Sequence, residues 1–297
     1  MSNKEKWITV LVCFCILILF AAAGIYKRPQ TASGIETIAD LKGRSLGGVE
    51  GRMPENSSKI FFESMLGVKL GSYKAFGNMD EALYALRTGR VAAVWAADIT
   101  ADYLIKANTD LKKPDKDGMA DIASLPEGRF EFGMAVKKST EGEAIVGLLN
   151  KAIDSVISSR EYAEAVSTYI LNADQAAKFT VSDMTSETPE LKKQYSGKAP
   201  LRVGITGAAP PIELIDESGR PYGFCVVLMD MIAQQIERNI EFVVLDNETL
   251  FTSLMSGRID AVFCYGTPGR VTTEGTAKWI TTDGYLNCKG YDFLTTD

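Results

Sequence analysis

Leu201–Phe224 reads LRVGITGAAPPIELIDESGRPYGF, and the rest of the chain is understood from it. Leu201, Val203 and Ile205 recur at every second position, the period of a strand with one buried face. The run stops at Gly207 and the pair Pro210-Pro211. Ile212–Ile215 reads as a second short strand. Asp216–Gly219 reads as a turn, in which Asp takes up local amides and Gly relaxes the backbone. Gly223-Phe224 then opens an apolar helix, Val226–Ile236. A strand that ends in a Gly/Pro loop, followed by strand, turn and helix, presents main-chain groups at its carboxyl end. Open α/β sheets bind ligands there.

Working outward, LFTSLMSGRIDAVF at 250–263 and ALYALRTGRVAAVW at 82–95 share one pattern: a helix, a Gly-Arg joint and an Ala-Val strand. Glycine after the last helical turn is the usual stop signal. Two such joints predict two lobes of like topology, although two unrelated helix-strand joints would share the same outline. Asp80–Thr88 reads as a helix capped by Gly89, with Arg90–Ala96 as the strand. Glu143–Ser158 and Glu161–Leu171 have apolar residues at spacings of three and four and read as amphipathic helices.

These segments resemble the type II periplasmic solute-binding domain, the family of amino-acid receptors of ABC importers. Its first lobe opens with an apolar strand, Gly, Pro-Pro, an acidic Gly turn and Gly-Phe. Its next helix ends at Gly before Asp-Ala-Val, as Leu250–Phe263 does here. Thr272–Tyr285, TTEGTAKWITTDGY, stands where the family has its Thr-Pro-Glu-Arg and Ser-Asp-Pro-Tyr segments. Ile38–Gly51, IADLKGRSLGGVEG, is similar to the start of the family's second lobe, and Gly128–Lys137 to that lobe's return strand. The resemblance implies an α/β fold of two lobes closing on a small solute. The lobe order is reversed, so it also implies a circular permutation, with 172–198 joining the usual C-terminus to the usual N-terminus. A truncated tandem array, or two molecules exchanging lobes, gives the same order. The expected division is 1–6 as a cytoplasmic tail, 7–26 as a membrane anchor or signal segment, 27–34 as a linker, 35–171 as the second-lobe-like half with its closing helices, 172–198 as the connector and 199–297 as the first-lobe-like half.

The resemblance also nominates site residues. Where the family places a Gly-Thr-Thr loop at a helix N-terminus, an anion site built from free amides and the helix dipole, this chain has Gly51, Arg52 and Met53. Where the family's Asp takes an α-amino group, this chain has Ala97, with Asp98 beside it and Trp95 on the same strand end. The family's carboxylate-clamping arginine falls on Gly275, and Arg270 is the nearest replacement; arginine suits that task through its two parallel charge-assisted bonds. Thr206, Tyr222, Tyr265, Thr267 and Thr272 remain as polar lining. A solvated surface role stands beside the binding role for Arg52 and Arg270, and a helix cap beside it for Asp98.

Composition narrows the function. With 297 residues, 46% hydrophobic and 24% charged, the chain is large enough for two packed lobes. A net charge of -6 without like-charge runs gives no basis for a nucleic-acid partner. The chain has no histidine, which removes histidine catalysis and histidine metal ligation. The five cysteines form no metal pattern, and no metal or cofactor is expected. Two of Cys225, Cys264 and Cys288 are available to pair in an oxidising compartment; burial as small apolar groups is the other reading. Trp7–Tyr26 is an apolar run of about 20 residues, spanning about 30 Å as a helix, which is enough for a bilayer. Ala21-Ala22-Ala23 before Gly24 is also compatible with a removed signal. The expectation is a non-enzymatic solute-binding protein outside the cytoplasmic membrane, serving an ABC importer permease or a membrane sensor. A sensor ectodomain, a binding scaffold that has lost its solute and a dehydratase-like enzyme are the alternatives.

Overall fold

A computed structural model describes residues 34–49, 62–63, 67–114, 130–187, 195–268 and 278–296. It contains two mixed sheets, each at the centre of one lobe. In the N-lobe, β1 (Ser45–Val49), β2 (Ser72–Phe76), β3 (Ala93–Ala97), β4 (Leu111–Lys112) and β13 (Tyr291–Thr296) form a five-stranded sheet in the order β2-β1-β3-β13-β4. In the C-lobe, β5 (Phe130–Lys137), β6 (Leu201–Ile205), β9 (Ile240–Val244), β10 (Ala261–Pro268) and β11 (Trp279–Thr281) run in the order β11-β5-β10-β6-β9, and β12 (Leu286–Cys288) pairs with β5. β7 (Leu214–Ile215) and β8 (Pro221–Tyr222) make a small hairpin. The strand at 130–137, which the sequence resemblance assigns to the first half of the chain, lies in the C-lobe sheet. The last strand lies in the N-lobe sheet, antiparallel to β3. The chain therefore passes between lobes twice, between β4 and β5 and again at Lys289-Gly290.

Strand periodicity explains why each sheet is covered on both faces. In the C-lobe, Met134, Val136, Ala261 and Phe263 join one buried cluster with α5 (Phe224–Ile236) and α3 (Thr140–Ile157). The alternate residues Ala135 and Val262 join another with Leu250 and Leu254 of α6 (Asn247–Ser256). The N-lobe repeats the arrangement: Leu46, Trp95 and Phe293 face one way, and Val49, Val94 and Leu294 face α1 (Met79–Arg87) and α2 (Asp98–Ala107). Successive strand side chains point to opposite faces, so each strand supplies two cores.

Local chemistry sets the helix ends. Asn78, Ser139, Ser159 and Asp246 accept from the third backbone amide beyond themselves at the starts of α1, α3, α4 (Arg160–Val166) and α6, satisfying donors that a helix start leaves free. α1 and α6 stop at Gly89 (φ 69°) and Gly257 (φ 76°), left-handed positions that glycine takes without strain. After α4 the chain continues as one π turn, Ser167–Leu171, and short 3-10 turns at Val181–Asp183 and Thr185–Glu187 run along the connector. The connector is fixed to α5 by Asp230, 6% exposed, whose carboxylate accepts from Thr185 Oγ1, the Ser186 amide and Gln234 Nε2.

The apolar run 7–26 lies outside the described residues. Among the described residues, no helix is long and apolar enough to cross a membrane. Cys225, Cys264 and Cys288 are all buried and none is in a disulfide, so the pairing left open by the sequence is absent.

Candidate functional site

The seam between the lobes begins at the carboxyl end of β6. The loop there folds around Glu213, only 1% exposed, whose carboxylate oxygen accepts from the amides of Thr206 at 2.7 Å and Gly207 at 3.1 Å and from Thr206 Oγ1 at 3.3 Å. Thr206 Oγ1 in turn accepts from the Ala208 amide at 3.2 Å. The side chain nominated as cleft lining thus helps to shape its own loop. The Pro210-Pro211 bond is cis. The loop pushes Ala208 into the N-lobe, where it shares a buried cluster with Val49, Met79 and Leu294, while its neighbour Ala209 belongs to the C-lobe core. A further direct link joins the lobes at the start of α6, where Asn247 Nδ2 donates to the Gly77 carbonyl at 2.9 Å.

The other side of the seam is the crossing at Lys289-Gly290. Asp98, the first residue of α2, accepts through Oδ1 from the Ile99 amide at 2.8 Å and from Cys288 Sγ at 2.9 Å, and through Oδ2 from the Lys289 amide at 3.2 Å. Its own amide donates to the Gly290 carbonyl at 3.0 Å. Burial, and then the neighbouring Asp98 charge, push the Cys288 thiol pKa upward, so the thiol stays protonated and serves as a donor. The Lys113 ammonium holds Asp292 at 2.8 Å and Asp102 at 2.5 Å, joining β13 to α2 a second time. Burial works against the Lys113 charge, but its two carboxylate partners outweigh it and raise the pKa.

The remaining nominated residues are dispersed. Trp95, 5% exposed, stacks on Tyr291 with ring centroids 4.4 Å apart, meets Phe62 edge-on and donates to Tyr73 Oη at 3.3 Å. It is part of the N-lobe core. Tyr265 is half-buried in an aromatic group with Phe251 and Trp279 beside α6. Thr267 pairs with Glu131 through the β10–β5 backbone. Tyr222 lies in the β7–β8 hairpin, bridges to Thr180 of the connector and has Lys178 Nζ 4.7 Å from its ring centre. Burial, and then Tyr103 of α2 across the seam, raise its pKa. Gly51, Arg52, Arg270 and Thr272 lie outside the described residues. Glu213, Asn247 and the 288–290 crossing were not nominated from the sequence. Only Glu213 carries a local signal there, a carboxylate within the otherwise apolar run Ile212–Ile215. Among the described residues, no group of three or more Cys, Asp or Glu is arranged to hold a metal ion.

A comparison with curated proteins finds no match. Among solved structures, the chain is similar to the ligand-binding component of an ABC-type import system from Staphylococcus aureus with zinc bound: 10% identity, TM-score 0.40, over 85% of this chain and 65% of that one. It is also similar to an amino acid ABC transporter substrate-binding protein from Streptococcus pneumoniae bound to L-arginine, at 14% identity and TM-score 0.36 over 86% and 81% of the two chains. An arginine transport-system periplasmic binding protein from Legionella pneumophila gives 13% identity and TM-score 0.39 over 86% of each chain. The chain thus spans slightly less than two thirds of the Staphylococcus protein. Residues 201–272, which supply β6, β9 and β10 of the C-lobe sheet and the loop at the seam, match the family model of bacterial extracellular solute-binding proteins, family 3.

Proposed function

We propose that this chain is an extracytoplasmic solute-binding protein. It captures a small polar solute, amino-acid-like or another carboxylate, between its lobes for ABC-type import or for presentation to a membrane sensor. The observation that carries this reading is the solute-binding family match at 201–272, in a chain with two sheets between which it crosses twice. Hinged lobes convert solute contact into closure when the closed form makes more contacts with the solute. Arg270, Arg52, Gly51 and Thr272, with Thr206 at the β6 loop, are the proposed contacts. The missing carboxylate at Ala97 favours a solute held mainly by its anionic end. Residues 7–26 are proposed to anchor or export the chain, on the strength of their unbroken apolar run. The lobe order is proposed to be a circular permutation, with β13 carrying the chain from the C-lobe back into the N-lobe sheet.

One observation favours a second reading. Ala208 and the Asn247–Gly77 bond bring the lobes into direct contact at the seam, as expected of a scaffold that closes on itself. Thermal unfolding of the full chain against amino acids, small peptides and carboxylates separates the two. A solute bound only by the folded form stabilises it by about 2.7 kcal/mol at a hundredfold over its dissociation constant. A shift confined to one chemical class supports the receptor. Cooperative unfolding with no shift anywhere supports the scaffold.

A further inference from the structure

We propose that Asp98 is a positioning residue of the hinge: a clasp that holds the interlobe crossing and biases the protein toward the closed arrangement, without contacting the solute. Each residue of the crossing is tied to it. Cys288, the last residue of a C-lobe strand, donates through Sγ to Asp98 Oδ1; the Lys289 amide donates to Oδ2; the Gly290 carbonyl accepts from the Asp98 amide. Cys288 Sγ also lies 3.1 Å from the Gly290 carbonyl, so one thiol bridges both sides of the bend. The Ile99 amide, also on Oδ1, fixes the carboxylate at the start of α2. Both carboxylate oxygens are therefore engaged at the hinge.

The surroundings make Asp98 the fulcrum. Beyond the crossing, β13 moves as one body with the N-lobe: Tyr291 pairs with Ala97 and stacks on Trp95, and Asp292 is held by Lys113, which also binds Asp102 one turn along α2. Before the crossing, β12 is held by β5 of the C-lobe. Rotation of one lobe against the other must bend this crossing as well as the one between β4 and β5, and at 288–290 a change of angle strains or breaks the Asp98–Cys288 bond. A hinge is a few residues that absorb the backbone change between packed bodies. A carboxylate clasp across such residues sets how often they bend.

The test needs no solute, so it stands apart from the identity, or even the existence, of the bound molecule. In the full chain, Asp98→Ala is expected to accelerate amide exchange at 286–292 and trypsin cleavage after Lys289 at least tenfold. A merely local defect would stop there. The clasp predicts in addition faster exchange at 205–211, where Ala208 meets the N-lobe away from the hinge, and an enlarged radius of gyration in small-angle scattering. Asp102→Ala, on the same helix, is expected to leave the 205–211 segment at the wild-type rate. Cys288→Ser keeps a donor and is expected to behave as wild type; Cys288→Ala is expected to give a several-fold acceleration at both segments. If Asp98→Ala does not fold, the Cys288 pair decides alone. Wild-type exchange at 205–211 and unchanged scattering in folded Asp98→Ala, or in Cys288→Ala, would overturn the proposal.

Discussion

Asn247 Nδ2 donates to the Gly77 carbonyl at 2.9 Å, joining the first turn of a C-lobe helix to the loop after an N-lobe strand. Asn247 is 8% exposed, so the bond is largely shielded from water. A hydrogen bond of this kind contributes about 1 kcal/mol net, roughly a fivefold bias between closed and open lobes. Asn247→Ala is expected to lower the closed-to-open ratio by that factor, read as faster amide exchange on the 76–79 loop. Asn247→Asp should do more, because it replaces the donor with a charge facing a carbonyl. Equal exchange in all three proteins would show that this contact does not hold the seam.

Glu213 holds the loop at the end of β6 from inside. Its carboxylate takes the Thr206 and Gly207 amides, and truncation to Ala leaves those donors to find other partners in a buried place. The expected cost is about 1–3 kcal/mol of stability, measured by chemical denaturation. Glu213→Gln retains one carbonyl acceptor and is expected to lose less. A Glu213→Ala protein as stable as wild type would mean that the loop is set by other contacts.

Much of the fold follows from short-range chemistry. Gly89 and Gly257 end their helices because a left-handed backbone is open to glycine, and the apolar alternation of Leu201–Ile205 is a one-residue-scale property. The helices 140–157 and 224–236 follow from spacing in the same way. What the sequence could not convey is contact across distance. β5 and β13 exchange sheets relative to their position in the chain, and strands buried on both faces look alike whichever sheet they enter. The site was less legible for the same reason. Asp98 sits next to Ala97, where the sequence resemblance expects a solute-binding carboxylate, and only its partners Cys288 and Lys289, far along the chain, show that its carboxylate turns towards the 288–290 crossing. Asn247 reads locally as a residue in the first turn of a helix. Nothing near it in sequence points to Gly77.

Gly48 is required by the close approach of two side chains. A methyl group there would stand 2.2 Å from Tyr73 Oη and 2.8 Å from Trp95 Nε1. Both belong to the buried N-lobe cluster, so there is little room for them to retreat. Gly48→Ala is expected to destabilise the protein by about 1–3 kcal/mol, as overpacking does. Tyr73→Phe removes the nearest atom, and the double variant is expected to recover part of the loss, a coupling that a double-mutant cycle isolates. Simple additivity of the two changes would place the strain elsewhere.

The three described cysteines are expected to be chemically silent in the folded protein. Cys225 is fully buried in α5, and burial pushes its thiol up to about 12 from an ordinary 9.0. The thiolate, the reactive form, is thus disfavoured at the position where reagent is also excluded. Because the folded value lies above the unfolded one, the associated stability is fully present below about 9 and is lost as pH rises toward about 12. Alkylation of Cys225, Cys264 and Cys288 at pH 8 is expected to proceed only through unfolding, roughly a thousandfold or more slower than in denaturant for a domain of ordinary stability. Mass spectrometry of the labelled peptides reads this directly. Rapid modification of Cys288 alone would show that the 288–290 crossing opens independently of the cores, and would weaken the case for Asp98 holding it.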